Sequence, residues 1–250
     1  MSDDLLNHPL IGGRYFFPQP GHLDEPFWVD CGDARLACSY HEIAPGGKTL
    51  VHFHGNGEIV DDYRGPFVEQ ILACGCNCLL AEYRGYGRST GQPQLGRMLE
   101  DVAKTVASLE RDPQSLIFFG RSVGSLFALE AARLYPQAAG LIIESGIADV
   151  LQRLRLRVEP SELGVGSQEF SSLVSQRFAH RQVLADFSGA LLVMHALHDD
   201  LVEVEHGEQL YAWGREPKTL KVFPLGDHNS ILFANFEEYF ALVADFIGEL

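Results

Sequence analysis

Between an apolar run at residues 115–119 and a helical stretch that begins at 123 lies Gly120-Arg121-Ser122-Val123-Gly124. A serine on so tight a strand-to-helix turn takes a strained backbone, which is why a glycine stands two residues to either side. The turn lifts the hydroxyl out at the carboxyl edge of a sheet. There the Val123 amide and the N-terminus of the following helix face a developing oxyanion. A serine hydroxyl is a weak nucleophile near neutral pH, so it needs a base, and the base needs an acid to orient it. Among ten histidines, His228 stands in Gly226-Asp227-His228, after an apolar run at 219–223 and before the last helical stretch. That context puts it at the same sheet edge as Ser122.

The acid is expected after a strand, between serine and histidine in chain order. Asp199, in His195-Ala196-Leu197-His198-Asp199-Asp200, fits, with Asp200 beside it and Glu144 after the run at 141–143 as alternatives that spacing leaves open. The order Ser122, Asp199, His228 is one of the known triad orders. A second oxyanion donor is expected from His54-Gly55-Asn56-Gly57, which follows the run TLVHF. Its glycines permit unusual backbone angles, and the donor is assigned to the Asn56 amide. His54 is expected to order this loop by hydrogen bonds rather than to move protons.

Holding these groups at one edge requires a regular frame, and the hydrophobic pattern supplies it. Residues 27–30 and 35–41 read as a hairpin, and strands follow at 48–53, 77–83, 115–119, 141–143, 190–195 and 219–223. Helices are expected at 58–73, 123–134, 203–213 and 236–246. Another follows from Leu95, Met98, Leu99, Val102, Val106 and Leu109, which recur at three- and four-residue intervals. The strands are apolar throughout instead of alternating, as in a parallel sheet covered by helices on both faces. The reading is an α/β fold in one domain over 1–250. Residues 148–189, about forty between two strands, carry Pro160, Gly164 and Gly166 and are expected to form a small helical lid over the pocket. Leu151, Leu154, Leu156, Val158 and Phe170 there either line an acyl site or form the buried face of the lid.

Composition excludes more than it suggests. The chain has 250 residues, 46% of them hydrophobic, and 19 Lys and Arg against 34 Asp and Glu give a net charge of −15. Such a surface repels phosphate backbones and anionic lipid, so neither nucleic acid nor a membrane surface is an expected partner. It also disfavours anionic substrates unless Arg121, Arg84 or the arginines of 148–189 reverse the charge locally. The N-terminus lacks the basic region and apolar run of a leader, and no apolar run approaches the roughly 20 residues that span a bilayer. Cys31, Cys38, Cys74, Cys76 and Cys78 match no zinc template and are expected as reduced thiols of a cytoplasmic protein.

Five motifs in one order then resemble a known family: HGNGE at 54–58, EYRGYGRS at 82–89, GRSVGS at 120–125, HALHDDLV at 195–202 and GDH at 226–228. Together they are similar to the α/β-hydrolase superfamily, in particular its compact HGN-type serine hydrolases with a G-R-S-x-G elbow, and the resemblance covers nearly the whole chain. It implies a mostly parallel sheet of about eight strands flanked by helices. It also implies acyl transfer to Ser122 followed by hydrolysis of the acyl-enzyme, with Asn56 and Val123 as oxyanion donors and no cofactor. Glu82 stands where the family usually has aspartate, Ala196 where it has glycine, and Glu203 where it often has proline.

Three other readings compete. His52 and His54 form an H-x-H pair that alternating strand geometry would aim to one face, as a metal-dependent hydrolase requires; that reading leaves the serine turn unexplained. A non-catalytic α/β-hydrolase fold would bind without turnover. Nucleotide binding fails because Gly85-Tyr86-Gly87-Arg88-Ser89-Thr90-Gly91 is not G-x-G-x-x-G. The expected substrate is a small-molecule carboxylic ester or thioester with a small-to-medium acyl group, and an amide is the alternative.

Overall fold

Apolar side chains fill both faces of the central strands, and the architecture follows from covering both. The computed structural model describes residues 5–250. It opens with α1 (Pro9–Tyr15), followed by β1 (Phe27–Asp30), β2 (Arg35–His41), β3 (Thr49–Phe53), α2 (Pro66–Ala73) and β4 (Asn77–Ala81). Next come α3 (Leu95–Ala107), β5 (Leu116–Arg121), α4 (Gly124–Leu134) and β6 (Gly140–Glu144). An insertion then carries α5 (Val150–Arg155), a short 3-10 turn at Pro160–Leu163, α6 (Ser167–Arg177) and α7 (His180–Asp186). The chain finishes with β7 (Ala190–Ala196), α8 (Val204–Trp213), β8 (Lys218–Phe223), α9 (Ile231–Ala234) and α10 (Phe236–Glu249).

The strands form one eight-stranded sheet in the order β1-β2-β4-β3-β5-β6-β7-β8. The pairs β1/β2 and β2/β4 are antiparallel, and from β4 through β8 every neighbour is parallel. This is the mostly parallel α/β-hydrolase sheet that the sequence implies. Successive residues alternate between two apolar layers. Val51, Phe53, Phe118, Leu141, Ile143 and Val193 pack with α3, α4, α7 and α8. Leu50, Ile117, Phe119, Ile142, Leu192 and Met194 pack with α2 and α10.

From β3 the chain runs outward to β4 and returns to the other side of β3 as β5. The loops leaving β3 and β5 therefore diverge, and a crevice opens at the carboxyl ends of these strands, where open parallel sheets bind ligands. Both the His54 loop and the Ser122 turn leave the sheet at this point.

The expected helix over 58–73 is instead two pieces. A 3-10 turn covers Val60–Tyr63, and α2 starts only at Pro66. Proline lacks an N–H and pushes the residue before it out of the helical region, so Gly65 (φ −91°, ψ −121°) caps a new helix. The insertion carries three helices, and most of its apolar residues are core: Leu154, Val158, Leu163, Phe170, Val174 and Leu184 are buried. Leu156 alone of the named leucines points outward, 65% exposed. The five cysteines are free thiols, all buried except half-buried Cys74. Among the described residues no helix is long and apolar enough to cross a membrane.

Candidate active site

The turn after β5 has the geometry its glycines suggest. Ser122 sits at φ +52°, a left-handed conformation that costs a non-glycine residue energy. Its amide donates to the Glu144 carbonyl at 2.8 Å, which ties the turn to the end of β6. A Cβ on Gly124 would lie 2.0 Å from the Phe53 carbonyl oxygen, so only glycine lets α4 start this close to β3. The Ser122 hydroxyl consequently stands at the crevice.

His228, in the loop between β8 and α9, places Nε2 2.8 Å from Ser122 Oγ. Its Nδ1 lies 2.7 Å from Asp199 Oδ2. A carboxylate only accepts, so Nδ1 carries the proton and Nε2 is left as the acceptor facing the serine hydroxyl. The other Asp199 oxygen accepts the amides of Leu201 at 3.0 Å and Val202 at 2.8 Å. Burial by itself would raise the Asp199 pKa, but hydrogen bonds from histidine and from the Val202 amide hold it well below the carboxylate range. The loop is braced from beneath, where His195 Nε2 donates to the Val202 carbonyl at 2.8 Å. Asp200 is exposed, and Glu144 meets Tyr239 and Arg121 instead. Of the three carboxylates that spacing allowed, the one on His228 is Asp199.

The loop after β3 faces Ser122 from the other side. The Asn56 side chain is fully engaged: Oδ1 accepts from the Phe17 amide (3.0 Å) and the Tyr86 hydroxyl (2.8 Å), and Nδ2 donates to the Tyr15 carbonyl (2.5 Å). The backbone amides of Asn56 and Val123 donate to no group among the described residues, and both residues line the cavity in front of Ser122. His54 orders this loop, with Nδ1 2.8 Å from the Gly55 carbonyl and Nε2 2.7 Å from Glu82. Burial favours neutral His54, yet the Glu82 charge, the hydrogen bonds to Glu82 and Gly55, and the Glu58 charge together outweigh it and raise the pKa. The longer Glu82 side chain also accepts the Val60 amide at 3.1 Å.

Arg121, the residue just before the serine, joins these parts. Its guanidinium donates to the His228 carbonyl at 2.7 Å and pairs with Glu58 at 2.5 Å and Glu144 at 3.2 Å. Glu58 accepts the Gly55 amide and the Tyr63 hydroxyl, both at 2.6 Å. One buried cation thus connects the β3 loop, the β5 turn and the histidine loop.

The H-x-H pair does not converge. The His52 ring packs among Tyr63, Phe67 and Phe119, whereas His54 packs against Tyr83 and Tyr86. The two rings therefore lie in different layers, because β3 ends at Phe53 and strand alternation no longer governs His54. Among the described residues no group of three or more His, Cys, Asp or Glu is arranged to hold a metal.

In front of Ser122 lies a cavity of about 290 Å³, walled by Tyr15, Phe17, Ile147, Leu156 and Val202, with Arg153 and Arg157 from the insertion. Sequence reasoning missed the N-terminal wall. Its signal was present, since Asn7-His8-Pro9 offers a capping side chain followed by proline at the first helical turn. His8 Nδ1 accepts the Leu10 amide at 3.2 Å, and α1 delivers Tyr15 and Phe17 to the site.

Three comparisons bear on this arrangement. A family model described as serine aminopeptidase, S33 (Hydrolase_4) matches residues 45–183. The uncharacterised protein YfhR of Escherichia coli is 25% identical over 187 residues, covering 72% of this chain and 62% of that protein. The α/β-hydrolase domain-containing protein 17C of Homo sapiens is 24% identical over 216 residues, covering 82% of this chain and 61% of that protein. The chain thus spans about three fifths of the length of these curated relatives. Among solved structures, the Pyrococcus furiosus esterase Pf2001 superposes with a TM-score of 0.71 at 18% identity, over 94% of this chain and 96% of that one. A CIB-like hydrolase from Thermoplasma acidophilum gives 0.67 at 15% identity, over 90% and 98%. Both carry the same fold.

Proposed function

We propose, for a chain that belongs to the serine aminopeptidase S33 (Hydrolase_4) family of α/β-hydrolases, that it is a serine hydrolase cleaving a carboxylic ester or thioester through an acyl-enzyme on Ser122. The observation that carries this reading is the hydrogen-bonded line from Ser122 Oγ through His228 to Asp199, at 2.8 and 2.7 Å, starting from a strained left-handed serine.

In this reading His228 Nε2 takes the hydroxyl proton as Ser122 Oγ attacks the substrate carbonyl carbon. The imidazolium that forms is stabilised by Asp199, which keeps its charge because its hydrogen bonds depress its pKa. The carbonyl oxygen becomes an oxyanion received by the Asn56 and Val123 amides, which donate to no other group among the described residues. Collapse expels the alcohol or thiol, which takes the proton from His228 and leaves an ester on Ser122. A water molecule, deprotonated by the same histidine, then releases the acid and restores the serine. Arg121 has a positioning role: it holds the His228 backbone, and through Glu58 it holds the loop that carries the Asn56 amide.

A second reading, amide cleavage, is favoured by the description of the matched family. Against aminopeptidase action stands the cavity lining, which among the described residues offers an α-ammonium group guanidiniums and no carboxylate. Fluorophosphonate labelling with mass spectrometry is expected to modify Ser122, and wild type is expected to hydrolyse 4-nitrophenyl esters far faster than matched 4-nitroanilides. A well-folded protein that escapes labelling, with Ser122→Ala hydrolysing esters as fast as wild type, would sink the mechanism. Faster anilide cleavage would replace esterase by amidase.

A further inference from the structure

The arginines that sequence analysis singled out as able to reverse the charge near the site have separate fates. Arg84 is buried and holds Asp101 through two hydrogen bonds of 2.7 Å, with Asp33 at 3.3 Å. Arg121 is committed to Glu58 and Glu144. Arg155 faces Ser171 at 2.9 Å, outside the cavity. Arg14 and Glu162, close by, satisfy each other with two bonds of 2.9 Å. Arg177 pairs with Glu130 at 2.9 Å, and Arg181 lines a different cavity. That leaves Arg153 and Arg157, which form no ion pair among the described residues.

Both line the cavity in front of Ser122. Arg153 stands in the last turn of α5 and Arg157 two residues beyond its end, in a turn closed by the Arg157 amide donating to the Leu154 carbonyl at 3.0 Å. Arg153 is half-buried, and the Arg157 guanidinium lies 5.7 Å above the Phe17 ring, which restricts where it can point. Among the described residues no Asp or Glu lines this cavity, although the chain as a whole carries −15. A pocket of one sign on a surface of the other concentrates that field where a ligand enters. Two guanidiniums without ion-pair partners in the cavity of the serine are donors suited to a carboxylate or phosphate.

We infer that the substrate carries an anionic group, a carboxylate or phosphate, away from its reacting carbonyl, and that Arg153 and Arg157 bind it. The inference rests on the reading of Ser122 as the nucleophile. The substrate is then an acidic small molecule, such as a half-ester of a dicarboxylic acid, rather than a neutral lipid ester. Hydrolysis would release a second anion beside the first, and repulsion between the two would help the product leave.

The test compares mono-4-nitrophenyl adipate with its methyl-capped counterpart, the same chain with and without the charge. Wild type is expected to favour the free acid in kcat/KM by about tenfold or more, as charge-assisted hydrogen bonds imply. That preference should shrink as salt is added. In the double variant R153Q/R157Q the ratio should collapse to near one, and in R153E/R157E it should invert. Because the readout is a ratio, a variant that is merely damaged loses both rates and leaves it unchanged, which would overturn the inference. So would a wild-type ratio of one or below with Ser122-dependent hydrolysis of the capped ester intact. 4-Acetoxybenzoate and its methyl ester repeat the comparison with the charge on the leaving group, and inhibition by adipate or inorganic phosphate tells carboxylate from phosphate recognition. If Ser122 turns over none of these esters, the nucleophile reading fails. The anion site is then judged by calorimetric binding of adipate and phosphate: binding that R153Q/R157Q loses sustains it, and no binding, or equal binding, overturns it.

Discussion

Replacing Arg121 by methionine isolates what the buried cation contributes. Arg121 is only 8% exposed and is shared by Glu58, Glu144 and the His228 carbonyl. Methionine fills similar volume but strands two carboxylates, and breaking a buried pair in this way costs about 3–5 kcal/mol. The loss should depend on pH in a defined direction. Burial already raises the Glu144 pKa even with Arg121 pulling against it, so without Arg121 the pKa rises further. A carboxyl whose folded pKa exceeds its unfolded value binds more protons folded than unfolded. Its favourable contribution is therefore present at low pH and disappears as pH rises through the folded pKa. Urea unfolding at pH 5 and pH 8, referred to wild type at each pH, should show R121M about 2 kcal/mol worse at the higher pH. Adding Glu144→Gln removes a stranded charge and should recover about 2 kcal/mol. The reasoning is refuted if R121M stays within about 1 kcal/mol of wild type at both pH values. It is refuted equally if Glu144→Gln makes R121M less stable rather than more.

Other expectations follow from single contacts. Asp199→Asn should lower kcat by about 10⁴ through the wrong histidine tautomer, while Asp200→Asn, at an exposed position, should leave it near wild type; ester kinetics with both variants check the ranking. Burial pushes His180 down to about 4, so folding excludes a proton that the unfolded chain binds. Stability should fall by about 2–3 kcal/mol as pH drops from 6.5 towards 4, and His180→Leu should flatten that part of a urea-midpoint profile.

How much of this was legible depended on whether a feature is local. The serine turn could be read because strand, glycines and helix are contiguous, and the sheet because apolar strands on both faces admit few alternatives. Asp199 and Asp200 could not be separated by spacing. What decides between them is that one Asp199 oxygen captures the amides of residues 201 and 202, which turns its other oxygen to His228. The break at Gly65-Pro66 was written plainly in the chain, but the apolar spacing on either side masked it. Arg121 was legible as a residue of the turn but not as its hub, because Glu58, Glu144 and His228 meet it only after five strands, β3 and β5 to β8, have paired. The cavity walls were least legible: whether an arginine of the insertion meets solvent or substrate depends on how α5 docks, a tertiary fact with no sequence period.

The thiols have a practical consequence. Burial pushes Cys31 and Cys38 up to about 12 and Cys76 up to about 11, and raises Cys74 and Cys78 as well. At neutral pH almost none of this sulfur is thiolate, the form that reacts with alkylating agents. The folded molecule is therefore nearly silent towards iodoacetamide, and alkylation counts the moments when the sheet opens. Cys38 and Cys78 are fully buried on the neighbouring strands β2 and β4, so their labelling rate acts as a clock for opening of that side of the sheet under native conditions. An electrophile aimed at the serine, meanwhile, meets little competing background from sulfur.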